Sequence, residues 1–253
     1  MMSAPIPSYA ESTNQAANIT YAPPPGSPPS STPSSGPPPS LDPPPADLPP
    51  SYAVVDDIAT RFTIYGTFIH TPTGPAYQIS SFLDACMSKI RIRKLRAEEV
   101  AQLQAGAHTI SFDDSSTIYE AHDPPFLTNE YFITGRSSKT LPGTLHLRFG
   151  LRRWHVLHIP SEGARPAEIM TCGKAGGFSR AIKQRRNETE PSLWKDSEGA
   201  IIATEVLKLD QWGKRMPTFE MKEGLDEICR EMLLALWVSR LWASLGAATK
   251  YQV

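Results

Sequence analysis

Apolar and polar residues alternate along most of the chain from Val54 to about Met221, with Gly, Pro, Asp and Asn at the interruptions. A two-residue period with many β-branched and aromatic residues is typical of strands that bury one face. The pattern predicts roughly ten to twelve short strands. Regularly spaced strands of this kind favour a closed or nearly closed β architecture.

Individual segments give more specific predictions. Residues 61–70 are predicted as one strand, and residues 109–112 and 117–120 as the two arms of a hairpin. A tight bend or bulge is predicted at Gly150, between two strands. The stretch 90–104 is rich in Arg, Lys, Ala, Glu and Leu, which fits either a short helix or a charged edge strand.

The hydrophobic period changes near the C-terminus, where apolar residues recur at helical spacing from Leu225. Between Met232 and Leu245 the predicted helix is apolar almost all round, which is typical of a helix buried on every side. A membrane span and a dimer helix are the alternatives. Charged residues such as Arg240 leave too short an uncharged run for a span. We therefore predict a helix at about 225–245 that the preceding strands enclose.

The N-terminal segment 1–52 has a different composition from the rest. It holds 16 of the 25 prolines, three acidic residues and no Lys or Arg. Because it has few residues that could form a core, it cannot offset its ordering entropy. We predict a disordered proline-rich tail at 1–52, with polyproline II stretches, and one folded domain at 53–253.

Charge and cysteine content restrict the function classes. The formal net charge is −1, with the tail acidic by three and the remainder basic by two, which is too balanced to indicate nucleic-acid binding. The three cysteines are widely spaced and form no disulfide framework, so a reducing compartment, cytoplasmic or nuclear, is expected. No stretch is apolar enough to predict a transmembrane span.

A peptide motif ends the proline-rich tail: Leu48-Pro49-Pro50-Ser51-Tyr52. Pro-Pro-x-Tyr is the pattern that WW domains bind, with the prolines on an aromatic groove and the tyrosine in a second pocket. Leu48, Pro49, Pro50 and Tyr52 are therefore the predicted partner-binding residues. The segment around Tyr9 lacks the first proline and is at best a weak second site.

We expect neither catalytic residues nor a metal or cofactor site. The chain has no Gly-x-Ser-x-Gly motif, and Cys229 lies on the apolar face of the predicted helix, where core packing is favoured. His155 and His158 are three apart on a strand and point to opposite faces, which disfavours a shared zinc ion. Residues 172–177 resemble a phosphate loop faintly, and a connection between strands is the better interpretation.

Basic clusters are candidates for binding anionic phospholipid head groups. Ordinary solvated surface is the alternative interpretation, and the sequence favours it. The predicted lipid-binding residues are Arg91, Arg93, Lys94, Arg96, Lys183, Arg185 and Arg186, and a third cluster comprises Arg148, Arg152 and Arg153.

Many strands followed by one almost wholly apolar C-terminal helix resemble the tubby-like superfamily, which includes the tubby domain, the plant LURP-one-related proteins and the phospholipid scramblases. The turn and strand at 194–205 are similar to units of LURP-one-related barrels, and the PPxY-containing tail is similar to the proline-rich start of scramblases. The resemblance implies a barrel of about twelve strands around a central helix, over residues 54–250. The chain lacks the cysteine cluster and the acidic calcium loop expected of a scramblase.

These observations lead to three function hypotheses. The first is a non-enzymatic adaptor whose PPxY tail recruits a WW-domain protein, such as a HECT-type ubiquitin ligase. The second is a scramblase-like or tubby-like protein that binds phospholipids or phosphoinositides peripherally at membranes. The third and least favoured is an enzyme that uses the mouth of the barrel.

Overall fold

The computed structural model describes residues 59–127, 129–174, 191–209 and 215–250, and within these it leaves out the side chains of 207–209, 215 and 246–250. The described elements comprise twelve strands, two α-helices and one 3-10 turn. The strands are β1 (Arg61–Tyr65), β2 (Phe68–Thr71), β3 (Gly74–Ile79), β4 (Lys89–Lys94), β5 (Thr117–His122), β6 (Glu130–Gly135), β7 (Thr144–Gly150), β8 (Arg153–Ile159), β9 (Ala167–Lys174), β10 (Ser192–Asp196), β11 (Ile201–Leu209) and β12 (Arg215–Met221). The helices are α1 (Ala97–Gln104) and α2 (Glu227–Lys250), and the 3-10 turn is Asp114–Ser116.

The twelve strands form a closed antiparallel barrel in which each strand pairs with its neighbours in sequence. β12 returns to pair with β1, with Phe62 opposite Phe219, and this pairing closes the barrel. Closure leaves no strand edge unpaired. The predicted architecture of roughly twelve strands in a barrel is confirmed.

The two-residue alternation of the sequence places every second side chain inside the barrel. On β7, for example, Leu145 and Leu147 are buried, while His146 and Arg148 point outward and are more exposed. The same alternation buries Phe62 and Ile64 on β1. The inward side chains of all these strands surround a single core.

The C-terminal helix α2 lies inside the barrel. Six consecutive residues, Leu233 to Val238, have no exposed surface. Trp237 stacks on Phe219 of β12 with ring centroids 4.9 Å apart, and Trp242 meets Tyr131 of β6 edge-on at 5.8 Å. Because β6 and β12 are on opposite sides of the closed strand order, a helix that touches both must run between them. The prediction of an enclosed apolar helix is confirmed.

Within the described residues, no helix combines the length and the apolar character that crossing a bilayer requires.

Because the barrel is antiparallel, its connections alternate between two ends. We call the end that carries the β1–β2, β3–β4, β5–β6 and β7–β8 connections the far end. The helix α2 follows β12 and enters the barrel at the other end, which we call the near end, and it runs toward the far end. The helix α1, between β4 and β5, lies at the near end.

Three local predictions were wrong. Residues 61–70 form two strands rather than one, because Gly66 adopts a φ of 62° and allows a tight turn between β1 and β2. Residues 109–112 do not form a strand, because side chains engage this backbone: Gln78 and Arg93 donate to the carbonyl oxygens of Ile110 and Ser111.

The third wrong prediction is the connection at 172–177. Cys172, Gly173 and Lys174 pair with β10 and form the end of β9, while 175–177 lie outside the described residues. The stretch 90–104, for which two interpretations were open, contains both a strand, β4, and a short helix, α1.

Candidate functional site

The predicted WW-binding residues Leu48, Pro49, Pro50 and Tyr52 lie outside the described residues, which begin at Ala59. The whole predicted tail, 1–52, lies outside them as well. The binding role of the motif therefore stays a prediction from the sequence.

The four predicted lipid-binding residues on β4 and just after it are paired with carboxylates. Arg91 contacts Asp114 and Glu120, Arg93 contacts Glu99, Lys94 contacts Glu227 and Glu231, and Arg96 contacts Asp113. These four cations thus contact six carboxylates. An anionic head group would have to compete with these carboxylates for the same four cations, which disfavours lipid binding at this position.

Arg93 is the most fully enclosed of these four cations. Its side chain has no exposed surface, although it points to the outside of the barrel, because α1 and residues 110–112 cover it. It donates two 2.8 Å hydrogen bonds to Glu99, one of 2.8 Å to Gln78 and one of 3.2 Å to the carbonyl oxygen of Ser111. The ring of Phe112 lies 5.6 Å from its guanidinium. This geometry is that of a structural ion pair that fastens α1 to the barrel.

The ionised state of Glu99 gives a pH-dependent prediction. Burial raises its pKa, but hydrogen bonds from the Arg93 side chain and the Arg96 backbone outweigh burial and hold the pKa below the ordinary value of 4.5. A carboxyl with a lower pKa in the folded state stabilises the fold at neutral pH, and this contribution is lost as the pH falls through the lowered pKa. We expect Glu99→Gln to reduce the free energy of unfolding most at neutral pH, with the difference from wild type shrinking below pH 4.5. Urea denaturation across this range measures it, and a constant difference would contradict it.

The other two basic clusters lie elsewhere in the chain. Lys183, Arg185 and Arg186 belong to the connection between β9 and β10 and lie outside the described residues. Arg148, Arg152 and Arg153 surround the turn between β7 and β8 at the far end, and all three are exposed. In the part of the chain that is described, neither Arg148 nor Arg153 forms an ion pair.

The β7–β8 turn has an unfavourable backbone conformation for its sequence. Gly150 pairs with Arg153, which leaves Leu151 and Arg152 as a two-residue loop with φ values of 51° and 65°. Turns of this type favour Asn-Gly, because a left-handed conformation costs an ordinary residue about 1–2 kcal/mol. Leu151 is also 88% exposed, so burial does not compensate for the strain. The sequence predicted a bend here but not its conformation.

Exposed apolar side chains concentrate at the same end of the barrel. Of the ten large apolar side chains that the described residues expose, eight lie at the far end: Tyr65, Phe82, Met87, Phe126, Leu127, Phe149, Leu151 and Leu245. The other two, Ile201 and Ile228, lie at the near end. We call the eight residues the far-end rim.

Sequence reasoning missed the far-end rim, because its residues come from separate loops that only the barrel brings together. One signal was available in Pro124-Pro125-Phe126-Leu127, where two large apolar residues follow a pair of prolines and so do not continue a strand. Phe126 is 94% exposed.

The described residues with catalytic or metal-binding potential do not converge. His155 hydrogen-bonds to Glu168 at 2.6 Å, whereas His158 contacts the carbonyl oxygen of Pro142 at 2.8 Å, so the two histidines have different neighbours. Among the described residues, no group of three His, Cys, Asp or Glu side chains could hold a metal ion. Burial raises the pKa of the Cys172 thiol to about 12 and also raises that of Cys229, so neither thiol is activated as a nucleophile.

A buried ion pair joins α2 to the barrel wall. Arg240 of α2 contacts Glu205 of β11, and both side chains are largely buried. Burial raises the pKa of Glu205, and the adjacent Arg240 guanidinium opposes that shift. The pair lies within the enclosed interior and orients the helix.

Clefts also occur on the surface formed by the described residues, and two of them have a defined lining. One, of about 270 Å³, lies at the near end between the start of β1 and the end of β12, beside Met221 and Arg230. The other, of about 380 Å³, lies along β1 and β2 beside Tyr65 and His70. Burial lowers the pKa of His70, whose ring contacts Tyr65 edge-on at 5.1 Å.

Comparisons with known proteins add no identification. No family model, curated protein or solved structure matches this chain. The closed twelve-stranded barrel with its C-terminal helix is compatible with the tubby-like architecture. The likeness to that superfamily therefore rests on architecture alone.

Proposed function

We propose that this protein is a non-enzymatic adaptor: a tubby-like barrel carrying a proline-rich tail that recruits a WW-domain protein. The observation that carries the proposal is the motif Leu48-Pro49-Pro50-Ser51-Tyr52, placed just before the folded domain. A WW domain of a HECT-type ubiquitin ligase is the expected type of partner, because such domains bind Pro-Pro-x-Tyr peptides.

Two properties of the barrel support this role. The interior of the barrel is occupied by α2, from Leu233 to Val238. Other molecules can therefore bind only to the outer surface of the barrel and to the tail. Cys86, Cys172 and Cys229 are all free thiols, which agrees with a reducing compartment such as the cytoplasm.

The test of recruitment uses the full-length protein and an immobilised WW domain from a HECT-type ligase. We expect Tyr52→Ala to weaken binding at least tenfold, because an aromatic anchor removed from its pocket costs about 2 kcal/mol or more. Biolayer interferometry measures the dissociation constant.

Tyr9→Ala is the matched control, because Tyr9 also lies in the proline-rich segment and follows Pro7-Ser8 without a preceding proline pair. It should leave the affinity unchanged. Equal affinities of the wild type and Tyr52→Ala would eliminate the recruitment proposal.

A second candidate function is peripheral binding to phospholipid membranes, in the manner of tubby-like or scramblase-like proteins. The sequence assigned it to Arg91, Arg93, Lys94 and Arg96, and to the cluster at 183–186. The observation that favours this function is different: exposed arginines and exposed apolar side chains occur together at the far end. A basic surface with apolar protrusions is suited to an anionic bilayer.

A further inference from the structure

The far-end rim includes the β7–β8 turn, where 88% of the surface of Leu151 is exposed. Phe126 protrudes similarly from the preceding β5–β6 connection, at 94% exposure. These two connections are adjacent around the barrel, because β6 pairs with β7. Two apolar side chains thus extend from neighbouring loops toward the same side of the molecule.

The loops of the far end are tied to one another and to the core. The backbone N–H of Phe149 donates to the carbonyl oxygen of Asn129 at 2.9 Å, which joins the end of β7 to the β5–β6 connection. Phe149 packs on Trp154 with ring centroids 5.2 Å apart, and Trp154 packs on buried Tyr131 at 6.1 Å. The aromatic contacts anchor the turn, so Leu151 is presented on a rigid support.

Positive charge surrounds the protruding leucine. Arg148 lies on β7 and Arg153 lies on β8, on either side of the turn. Neither has a carboxylate partner among the described residues. The nearby carboxylates are engaged by histidines instead: Glu130 contacts His146 at 2.9 Å and Glu168 contacts His155 at 2.6 Å. The guanidinium groups of Arg148 and Arg153 therefore keep their capacity to bind phosphate oxygens.

The β7–β8 turn has Leu151 at a position where the backbone is strained. Leu151 and Arg152 occupy two consecutive left-handed positions where Asn and Gly are preferred. Strain of this kind is characteristic of functional sites. Since Leu151 contributes little to the core, the strain indicates a role for its exposed side chain.

We propose that the far end docks on an anionic phospholipid bilayer, with Leu151 and Phe126 entering the boundary between head groups and acyl chains. Arg148 and Arg153 would contact the lipid phosphates around them. Charge complementarity selects the bilayer as the occupant, because the cores of protein interfaces are depleted of charge whereas anionic membranes attract it. This inference rests on the second candidate function. It assigns lipid binding to a site separate from Arg91, Arg93, Lys94 and Arg96.

The test compares sedimentation of the full-length protein with vesicles of phosphatidylcholine alone and of phosphatidylcholine with phosphatidylserine in equal parts. We expect binding to the mixed vesicles, weakened by salt. Leu151→Asn should weaken this binding about tenfold, since it removes an inserted apolar side chain. Arg153→Gln should weaken it about fivefold, since it removes one contact between a cation and the anionic surface.

Leu151→Asn separates loss of binding from loss of folding. Asparagine tolerates the left-handed conformation better than leucine, so the variant should unfold at a higher urea concentration than the wild type while binding vesicles less. Ile201→Asn is the matched control, because Ile201 is an exposed apolar residue at the near end. It should bind vesicles as the wild type does.

Each outcome bears on a separate claim. If the wild-type protein does not sediment with the mixed vesicles, the lipid-binding function itself is excluded. If it sediments and Leu151→Asn and Ile201→Asn bind equally well, the lipid site is elsewhere and the far-end assignment is wrong. A dimer in light scattering that Leu151→Asn dissociates, with no vesicle binding, would instead make a second copy of this chain the occupant.

Discussion

Trp237→Ala is expected to lower the free energy of unfolding by about 3–5 kcal/mol, the range observed when a large buried aromatic side chain is truncated. Trp237 has no exposed surface and stacks on Phe219 at the centre of the barrel. The surrounding strands are held by the closed hydrogen-bond ladder, so they cannot collapse into the space left by the indole. Urea denaturation followed by circular dichroism measures the loss.

Leu245→Ala is the control on the same helix, because Leu245 is 43% exposed. A partly exposed position of this kind should change the free energy of unfolding by about 0.5 kcal/mol or less. Equal effects at the two positions would mean that α2 does not pass through the barrel.

Glu99→Ala is expected to destabilise the protein by about 3 kcal/mol or more, because it leaves the guanidinium of Arg93 buried without its carboxylate partner. The remaining acceptors of Arg93, the Gln78 side chain and the Ser111 carbonyl oxygen, are neutral. They cannot replace the charge of Glu99. Urea denaturation at neutral pH measures the effect.

Two further variants identify the cause of the destabilisation by Glu99→Ala. Glu98→Ala removes a neighbouring exposed glutamate from the same helix and should change the free energy of unfolding by about 0.5 kcal/mol or less. The double variant Arg93→Met and Glu99→Leu removes both charges and should recover most of the stability lost in Glu99→Ala. A double variant as unstable as Glu99→Ala would show that the buried unpaired charge is not the source.

Much of the fold could be predicted because its determinants are local. Alternation with a two-residue period marked most of the strands, and the apolar sequence around Trp237 marked a helix that needs enclosure on every side. The turn at Gly66 and the loop at 109–112 were missed for a different reason. Gly66 interrupts an otherwise continuous strand pattern, and the 109–112 backbone is held by Gln78 and Arg93 from distant parts of the sequence.

The candidate sites were less predictable than the fold. Arg91, Arg93, Lys94 and Arg96 look like a basic patch in the sequence, but their carboxylate partners come from as far away as Glu231. Leu151 and Phe126 were not singled out, because an isolated apolar residue in a loop is ordinary and only its neighbours make it informative. Closure of the barrel brings these separate loops to one end.

The sequence by itself determined the period of the strands, the buried character of the last helix and the presence of a Pro-Pro-x-Tyr motif, because each depends on residues that are close together in the chain. Only the tertiary structure decided which charges are neutralised and which apolar side chains remain exposed. Both properties depend on partners from distant strands, such as Glu99 and Glu231 for the β4 cations. Arg148 and Arg153 have no carboxylate partner among the described residues, because no distant strand supplies one. They lie beside Leu151, which the core does not bury.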